Sequence, residues 1–238
     1  MGDNPRDADL ERQLEAWGAS KSEVELSPEA RRKVQGLLTP SLTPVKPLPS
    51  QSRLILEFLS VFAVCTVGLI AIMDKAGFHL MTAAQMASMG VLLASEGILF
   101  SLMVAWQMVP GSRRHFPLSL VLALSGLGVF GGIALLFPWR ISNTFVSEGW
   151  PCAVTELMIA APSAVVFWLL ARRGALFGGT EVGAALGGLA VVLALAVNQF
   201  RCMFQQAPHL LVWHGATAAI LIGLGALIGE LRRDRWRS

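Results

Sequence analysis

The sequence predicts an all-α integral membrane bundle of six transmembrane helices, preceded by a mostly unstructured, partly helical N-terminal tail. Only 15% of the 238 residues are charged and 54% are hydrophobic, whereas a soluble domain carries about 25% charged residues. Six apolar runs approach the roughly 20 residues needed to cross a bilayer. The charges cluster in the tail and in the links between runs. We therefore divide the chain into a tail (1–52), a transmembrane domain (53–231) and a basic C-terminus (232–238).

The six apolar runs are separated by short links that are polar or rich in Pro and Gly. We place the runs near residues 54–73, 83–108, 118–137, 153–170, 182–198 and 210–229. The fifth run is the shortest and contains many glycines. No soluble segment between the runs is large enough to form an enzyme domain.

The basic residues indicate the orientation of the bundle. If the N-terminus is cytoplasmic, sixteen of the nineteen Lys and Arg lie on the inside, and only Lys75, Arg140 and Arg201 lie outside. Cytoplasmic links of membrane proteins are enriched in Lys and Arg. The sequence therefore predicts a multi-pass protein of the bacterial inner (plasma) membrane with both termini in the cytoplasm.

The tail contains two short amphipathic segments followed by a Pro-rich linker. Residues 7–17 and 29–38 have apolar residues at helical spacing, and the linker spans 39–49. Segments this short need a partner surface to be stable as helices. In the second segment we assign five residues to partner binding: Arg31, Arg32, Val34, Leu37 and Leu38. The alternative is that both segments lie on the membrane surface or stay disordered.

Two cysteines are predicted to lie at the outer face. Cys152 opens the predicted fourth helix and Cys202 closes the fifth, so both face an oxidising compartment. They could form a disulfide bond, or a reduced pair that binds a soft metal ion. Two unpaired interfacial thiols are the alternative. Cys65, in the middle of the first run, is expected to be an apolar packing residue.

Two histidines follow Cys202 at the start of the predicted sixth helix. His209 and His214, with Cys152, Glu148 and Glu156, could form a metal site at the outer surface. Their spacing of five does not place them on one face of an α-helix. No metal-binding motif of fixed spacing supports the site, so histidines that reach the interface without binding metal are the alternative.

An ionisable residue lies near the centre of the second run. An ionisable side chain costs free energy at this depth in the bilayer, so Glu96 is a candidate functional residue. The alternative is a structural hydrogen bond to a neighbouring helix. We find no nucleophile–base pair, phosphate loop or haem ligand set, so we predict no catalytic residue, no cofactor and no enzyme activity.

Glycines recur every four residues on three of the predicted helices. They are Gly179, Gly183 and Gly187 on the fifth, Gly128 and Gly132 on the third, and Gly225 and Gly229 on the sixth. Small residues at this spacing let helices approach closely. The pattern predicts a tight bundle and leaves both a monomer and a homo-oligomer open.

Several short motifs, taken in their order along the chain, resemble one known family. They are the linker 42–49 before the first run, Val109-Pro110-Gly111 after the second, Gly149-Trp150-Pro151-Cys152, residues 170–175, the Gly-rich fifth run ending near Cys202, and Trp213-His214. From Leu38 to the C-terminus the chain resembles the NrsF family of six-span membrane proteins, which are negative regulators of extracytoplasmic-function (ECF) sigma factors.

This resemblance implies a membrane anti-sigma factor that regulates transcription in a stress response. The tail would hold an ECF sigma factor, without direct contact to nucleic acid. Oxidation or metal binding at Cys152 and Cys202 would transduce the signal and release the sigma factor. The rival interpretation is a small transporter or permease subunit with a polar path along Glu96, Asn198 and Gln199. A membrane scaffold without a ligand is the third.

Overall fold

The computed structural model describes residues 27–29, 32, 33, 36, 49–109, 117–173 and 179–234. The chain divides into two units, Met1–Pro47 and Leu48–Ser238. Of the partner-binding residues predicted in the tail, Arg31, Val34, Leu37 and Leu38 lie outside the described residues, as does the segment 7–17. The fifth, Arg32, is exposed, and its Nε donates a hydrogen bond to the Pro28 carbonyl at 3.4 Å.

The described part of the second unit holds six helices that are long and apolar enough to cross a membrane, which confirms the predicted fold class. They are α1 (Gln51–Ile72), α2 (Ala83–Met108), α3 (Leu118–Leu136), α4 (Phe145–Ala171), α5 (Gly179–Arg201) and α6, which consists of three consecutive segments, Ala207–His209, Leu210–Ala216 and Thr217–Asp234. A 3₁₀ turn at Ala76–Leu80 lies between α1 and α2.

Polar side chains at the helix starts set several of these bounds. Ser50 caps α1 by accepting a hydrogen bond from the Arg53 amide. Thr82 and Gln85 form a reciprocal capping box at the start of α2. Such caps satisfy amides that have no partner inside the helix. The start of α2 at Ala83 therefore agrees with the predicted start, while α4 begins eight residues before the predicted residue 153.

Helix α5 lies in the middle of the bundle. In its most apolar 18-residue stretch, 78% of the residues are buried within the bundle, against 11–44% in the corresponding stretches of the other five helices. It packs against α1, α2, α4 and α6. A helix that is apolar on all sides is expected at such a central position.

The closest helix contact joins α5 to α6 through their glycines. A Cβ atom on Gly225 would lie 2.6 Å from the Gly183 carbonyl oxygen and 3.2 Å from the Gly187 Cα. A Cβ on Gly229 would overlap the Gly179 carbonyl. The two backbones are therefore in direct contact, as the four-residue spacing of the glycines predicts.

Glu96 is paired across the interface between α2 and α3. Its side chain is 7% exposed and accepts a hydrogen bond from the Ser125 hydroxyl. This geometry corresponds to the structural hydrogen bond given above as the alternative for Glu96. The bond ties α3 to α2 at a depth where an unpaired carboxyl would be costly.

We expect Gly225→Leu to destabilise the bundle, because the added side chain has to separate α5 from α6. Overpacking of this kind costs about 1–3 kcal/mol or more. Gly223→Leu, on the same helix, is the matched control, since no described atom lies within 4 Å of its Cβ position. Thermal unfolding in detergent would measure both variants. Equal melting temperatures would contradict the close contact.

Candidate functional site

The site lies at the end of the bundle formed by the links 73–82, 137–144 and 202–206, which we call the thiol end. Backbone and side-chain hydrogen bonds hold these links to one another. The Ala207 backbone amide donates to the Pro138 carbonyl at 3.0 Å, and the Gln85 side-chain amide, near the start of α2, donates to the Leu136 carbonyl at 2.8 Å. These bonds make the thiol end a structured cap on the bundle.

Helix α4 extends into the thiol end, and two polar residues just before it bond to a side chain of its first turn. The hydroxyls of Ser142 and Thr144 both donate to the Glu148 carboxylate. An acidic residue in the first turn also interacts favourably with the helix dipole. The prediction that Cys152 opens this helix is therefore wrong: Cys152 lies two turns inside α4, which begins at Phe145.

Cys202 lies directly after α5 and is held against α4 by a neighbouring side chain. The Cys202 amide donates to the Asn198 carbonyl at 2.8 Å. The Asn198 side-chain amide donates to the Cys152 carbonyl at 3.1 Å. Gly77, in the 3₁₀ turn, packs on the Cys202 carbonyl so closely that a side chain there would overlap it. Three elements thus fix the position of Cys202.

The two histidines meet because the start of α6 is not a regular α-helix. Residues Leu210–Ala216 form a π-helical turn. Residues five apart lie about 140° apart around an α-helix, whereas a π-turn hydrogen-bonds residue i to i+5 and brings them onto one side. The rings of His209 and His214 have centroids 5.6 Å apart. A spacing that does not place two residues on one face of an α-helix therefore brings them together here, through the π-turn.

Cys152, Cys202, His209 and His214 converge to form a buried cluster that we call the tetrad. One ligand atom from each residue lies within 4.8 Å of the others. The two Sγ atoms are 3.6 Å apart, and the Cys202 Sγ is 3.4 Å from the His209 Nε2. The four residues are 9%, 3%, 1% and 1% exposed, respectively. The tetrad therefore brings α4, α5 and α6 together at one point.

Aromatic side chains pack around the tetrad and shield it. Phe204 and Phe145 pack against the His209 ring, with centroid distances of 5.2 and 6.4 Å. The Trp213 ring occupies the place where a side chain on Gly149 would lie. Gly149 is thus needed for α4 to pack on α6 beside the tetrad.

Several polar atoms at the site have no hydrogen-bonding partner among the described residues. They are the His209 Nδ1, both ring nitrogens of His214 and both carboxyl oxygens of Glu156. Glu156 lies one turn after Cys152 on α4 and is fully buried. Leaving a buried polar group unpaired costs about 1–3 kcal/mol. So many unpaired polar atoms in one place indicate a site built to bind something.

The two thiols are close, but they are not bonded. All three cysteines of the chain are free, and a disulfide needs sulfurs about 2.05 Å apart. The hydrogen bond to Cys152, together with burial, raises the pKa of the Cys202 thiol above its usual range. The geometry supports either of the two predicted chemistries, disulfide formation after a small shift or binding of a soft metal ion.

An open pocket leads from the thiol end to the cysteines. Its volume is about 500 Å³, and its lining includes Cys152, Cys202, Asp74, Glu148 and Arg201. Glu148, which the sequence suggested as a metal ligand, thus lines the mouth and bonds to Ser142 and Thr144. The pocket gives small solutes a route to the sulfur atoms.

The polar residues of the predicted transport path are engaged in local contacts. Asn198 bonds to α4, as described above. The Gln199 side chain donates to the Gln205 side chain at 2.7 Å, and Glu96 is paired with Ser125 on α3. Each of the three therefore contributes to packing within the bundle.

Comparison with protein-family models identifies a family that covers most of the chain. The family model NrsF, described as negative regulator of sigma F, matches residues 38–236. No curated protein and no solved structure matches the chain significantly. The matched range covers all six helices up to residue 234 and all four residues of the tetrad.

We expect dibromobimane to label the reduced protein. This reagent has two thiol-reactive arms and fluoresces only when both have reacted. The sulfur atoms of Cys152 and Cys202 are close enough for one reagent molecule to bridge them, and the pocket admits it. Cys152→Ser and Cys202→Ser should each abolish the fluorescence, whereas Cys65→Ser should retain it. Fluorescence that depends on Cys65 would contradict the pairing.

Proposed function

Since the chain belongs to the NrsF family of negative regulators of sigma F, we propose that it is an inner-membrane anti-sigma factor. Its cytoplasmic tail holds an ECF sigma factor, and a signal at Cys152 and Cys202 releases that factor. The observation that carries the proposal is the juxtaposition of the two sulfur atoms, 3.6 Å apart, within a chain of this family. The role is that of a regulator rather than an enzyme.

The orientation of the bundle supports the proposed direction of signalling. Of the nineteen basic residues, Lys75, Arg140 and Arg201 lie in or directly beside the links of the thiol end, and the other sixteen lie in the sequence ranges 1–53, 113–114, 172–173 and 232–237. By the enrichment of basic residues on the inside, the thiol end faces the periplasm. With an even number of crossings, both termini would then lie in the cytoplasm, where a sigma factor is found.

The tail provides the proposed binding surface for the sigma factor. In residues 29–38, Val34, Leu37 and Leu38 would form an apolar stripe along a short helix. An amphipathic segment of this kind binds by placing its apolar face in a groove of the partner. Arg31 and Arg32 would lie on the opposite, solvent-facing side of this helix and would set the orientation.

Helix α5 gives the proposed signal a route across the membrane. Cys202 follows its last residue, and Gly179 begins it at the opposite end, in contact with Gly229 of α6. There, the Thr180 hydroxyl also bonds to Glu230 of α6. A change in the packing of α4, α5 and α6 at the thiol end therefore also alters the contact between α5 and α6 at the opposite end of the bundle. A signal that stabilises one of the two packings shifts the population toward it.

We expect Cys152→Ser, Cys202→Ser and the double variant to give one shared phenotype, because a two-thiol sensor needs both sulfurs. The measurement is a transcriptional reporter for the sigma factor, with and without the signal. An allosteric coupling of 1–3 kcal/mol corresponds to about a 5–150-fold response, and all three variants should lose it. Cys65→Ser, the control, should respond like the wild type. Three different phenotypes would contradict a paired sensor.

We expect aspartate at Val34, Leu37 or Leu38 to weaken retention of the sigma factor by the full-length protein in detergent. Each change removes an apolar contact and should cost at least about tenfold in affinity, or 1.4 kcal/mol. Aspartate at Leu10 or Leu14, in the first segment, is the matched control. If these controls weaken binding and the first set does not, the binding surface lies in 7–17 instead. Unchanged retention by both sets would argue against sequestration by the tail.

A further inference from the structure

We infer that the tetrad is a four-coordinate metal site for a cation of the Zn²⁺ class, with Cys152, Cys202, His209 and His214 as its ligands. This deepens the proposed function by naming the ligand of the sensor, and its regulatory part rests on that function. The metal site itself does not, since it is argued from the geometry and chemistry of the four side chains.

The spacing of the ligand atoms agrees with a tetrahedral site. Zinc bonds of about 2.3 Å to sulfur and 2.0–2.1 Å to nitrogen give tetrahedral edges of about 3.8 Å between sulfurs and about 3.6 Å between sulfur and nitrogen. The observed distances are 3.6 Å between the sulfurs and 3.4 Å between the Cys202 Sγ and the His209 Nε2. The four ligand atoms lie within 4.8 Å of one another, so the longer separations would have to shorten by about 1 Å to complete the tetrahedron.

The type of ligand selects the metal. Two thiolates and two imidazoles in a tetrahedral arrangement are typical of zinc sites, whereas Mg²⁺ and Ca²⁺ prefer oxygen ligands. The acidic side chains nearby do not complete an oxygen site: Glu148 bonds to hydroxyls at the pocket mouth, and Glu156 is not part of the group whose ligand atoms lie within 4.8 Å. The site is therefore closed by protein ligands.

Charge balance also favours a divalent cation. Binding forms two metal–sulfur and two metal–nitrogen bonds, breaks two S–H bonds and releases two protons to water through the pocket. Two thiolates and one divalent ion give a neutral centre, which a buried position tolerates better than an unpaired charge. Binding also gives one of the two unpartnered ring nitrogen atoms of His214 a partner.

The site bridges three helices that are distant in sequence. Cys152 belongs to α4, Cys202 follows α5, and His209 and His214 lie at the start of α6. A bound ion would therefore fix the relative positions of these helices at the thiol end. In the proposed regulator, this is the packing change that releases the sigma factor.

The test is titration of the reduced, full-length protein in detergent with Co²⁺ as the spectroscopic probe and Zn²⁺ as the competitor. We expect one Co²⁺ per chain, with the intense visible bands of a tetrahedral ion and a sulfur-to-cobalt charge-transfer band, both removed by Zn²⁺. Cys152→Ser, Cys202→Ser, His209→Asn and His214→Asn should each weaken binding at least about 100-fold, more than changes in outer-shell groups do.

Matched controls separate loss of a ligand from loss of the fold. Cys65→Ser and His79→Asn, which change the same residue types outside the tetrad, should keep the tetrahedral spectrum. Glu156→Gln should also keep it. His214→Cys, which replaces one zinc ligand by another, should restore the binding that His214→Asn loses. A weak octahedral spectrum in the wild type, or full binding by both histidine variants, would overturn the site.

Retention of the sigma factor, measured in the same preparations, keeps the two proposals distinguishable. With no metal present, the full-length protein should retain the sigma factor, and Zn²⁺ should release it from the wild type but not from His214→Asn. Retention without any metal binding would overturn the metal site alone. Metal binding without retention would overturn the anti-sigma function and leave the site. Zn²⁺ that binds and does not change retention would overturn the regulatory part.

Discussion

The close approach of α5 and α6 is the contact on which the rest of the bundle depends. Between apolar helices in a bilayer, association comes from packing at short distance rather than from the hydrophobic effect. Glycines at 183 and 225 let the two backbones touch, and α5 is then covered on its other sides by α1, α2 and α4. This contact fixes α5 and α6 as an antiparallel pair. The short link 202–206 joins the end of α5 to the beginning of α6, so that Cys202 and the two histidines share one location.

Polar side chains within this bundle occur where a neighbouring helix offers a hydrogen-bonding partner. Glu96 is paired with Ser125, and Asn198 donates to the Cys152 carbonyl, so both contribute to packing between helices. The tetrad differs, because both His214 nitrogens have no hydrogen-bonding partner among the described residues. An unpaired polar group at such a position costs free energy. That cost is consistent with a site maintained for binding rather than for stability.

The sequence predicted the spans well because bilayer thickness fixes a length that hydropathy can detect. It also indicated the glycine contacts, since their spacing follows directly from helix geometry. It failed at the start of α4, where the helix includes the polar residue Glu148 and begins directly after Thr144. It failed again at His209 and His214, because their shared face depends on a π-turn. No side-chain pattern in the chain announced that turn, although π-turns are frequent at functional sites.

The position of the π-turn connects the proposed metal site with the proposed transmission of a signal across the bundle. A π-turn holds one more residue than the α-helical turn it replaces, so it can revert only if α6 rotates or shifts beyond it. His209 and His214 share a face only while the turn persists. A ligand that binds both histidines therefore favours one register of α6, and α6 contacts α5 through Gly225 and Gly229, which pack against Gly179, Gly183 and Gly187. A local event at the thiol end is thereby linked to the packing near Gly229, at the opposite end of the bundle.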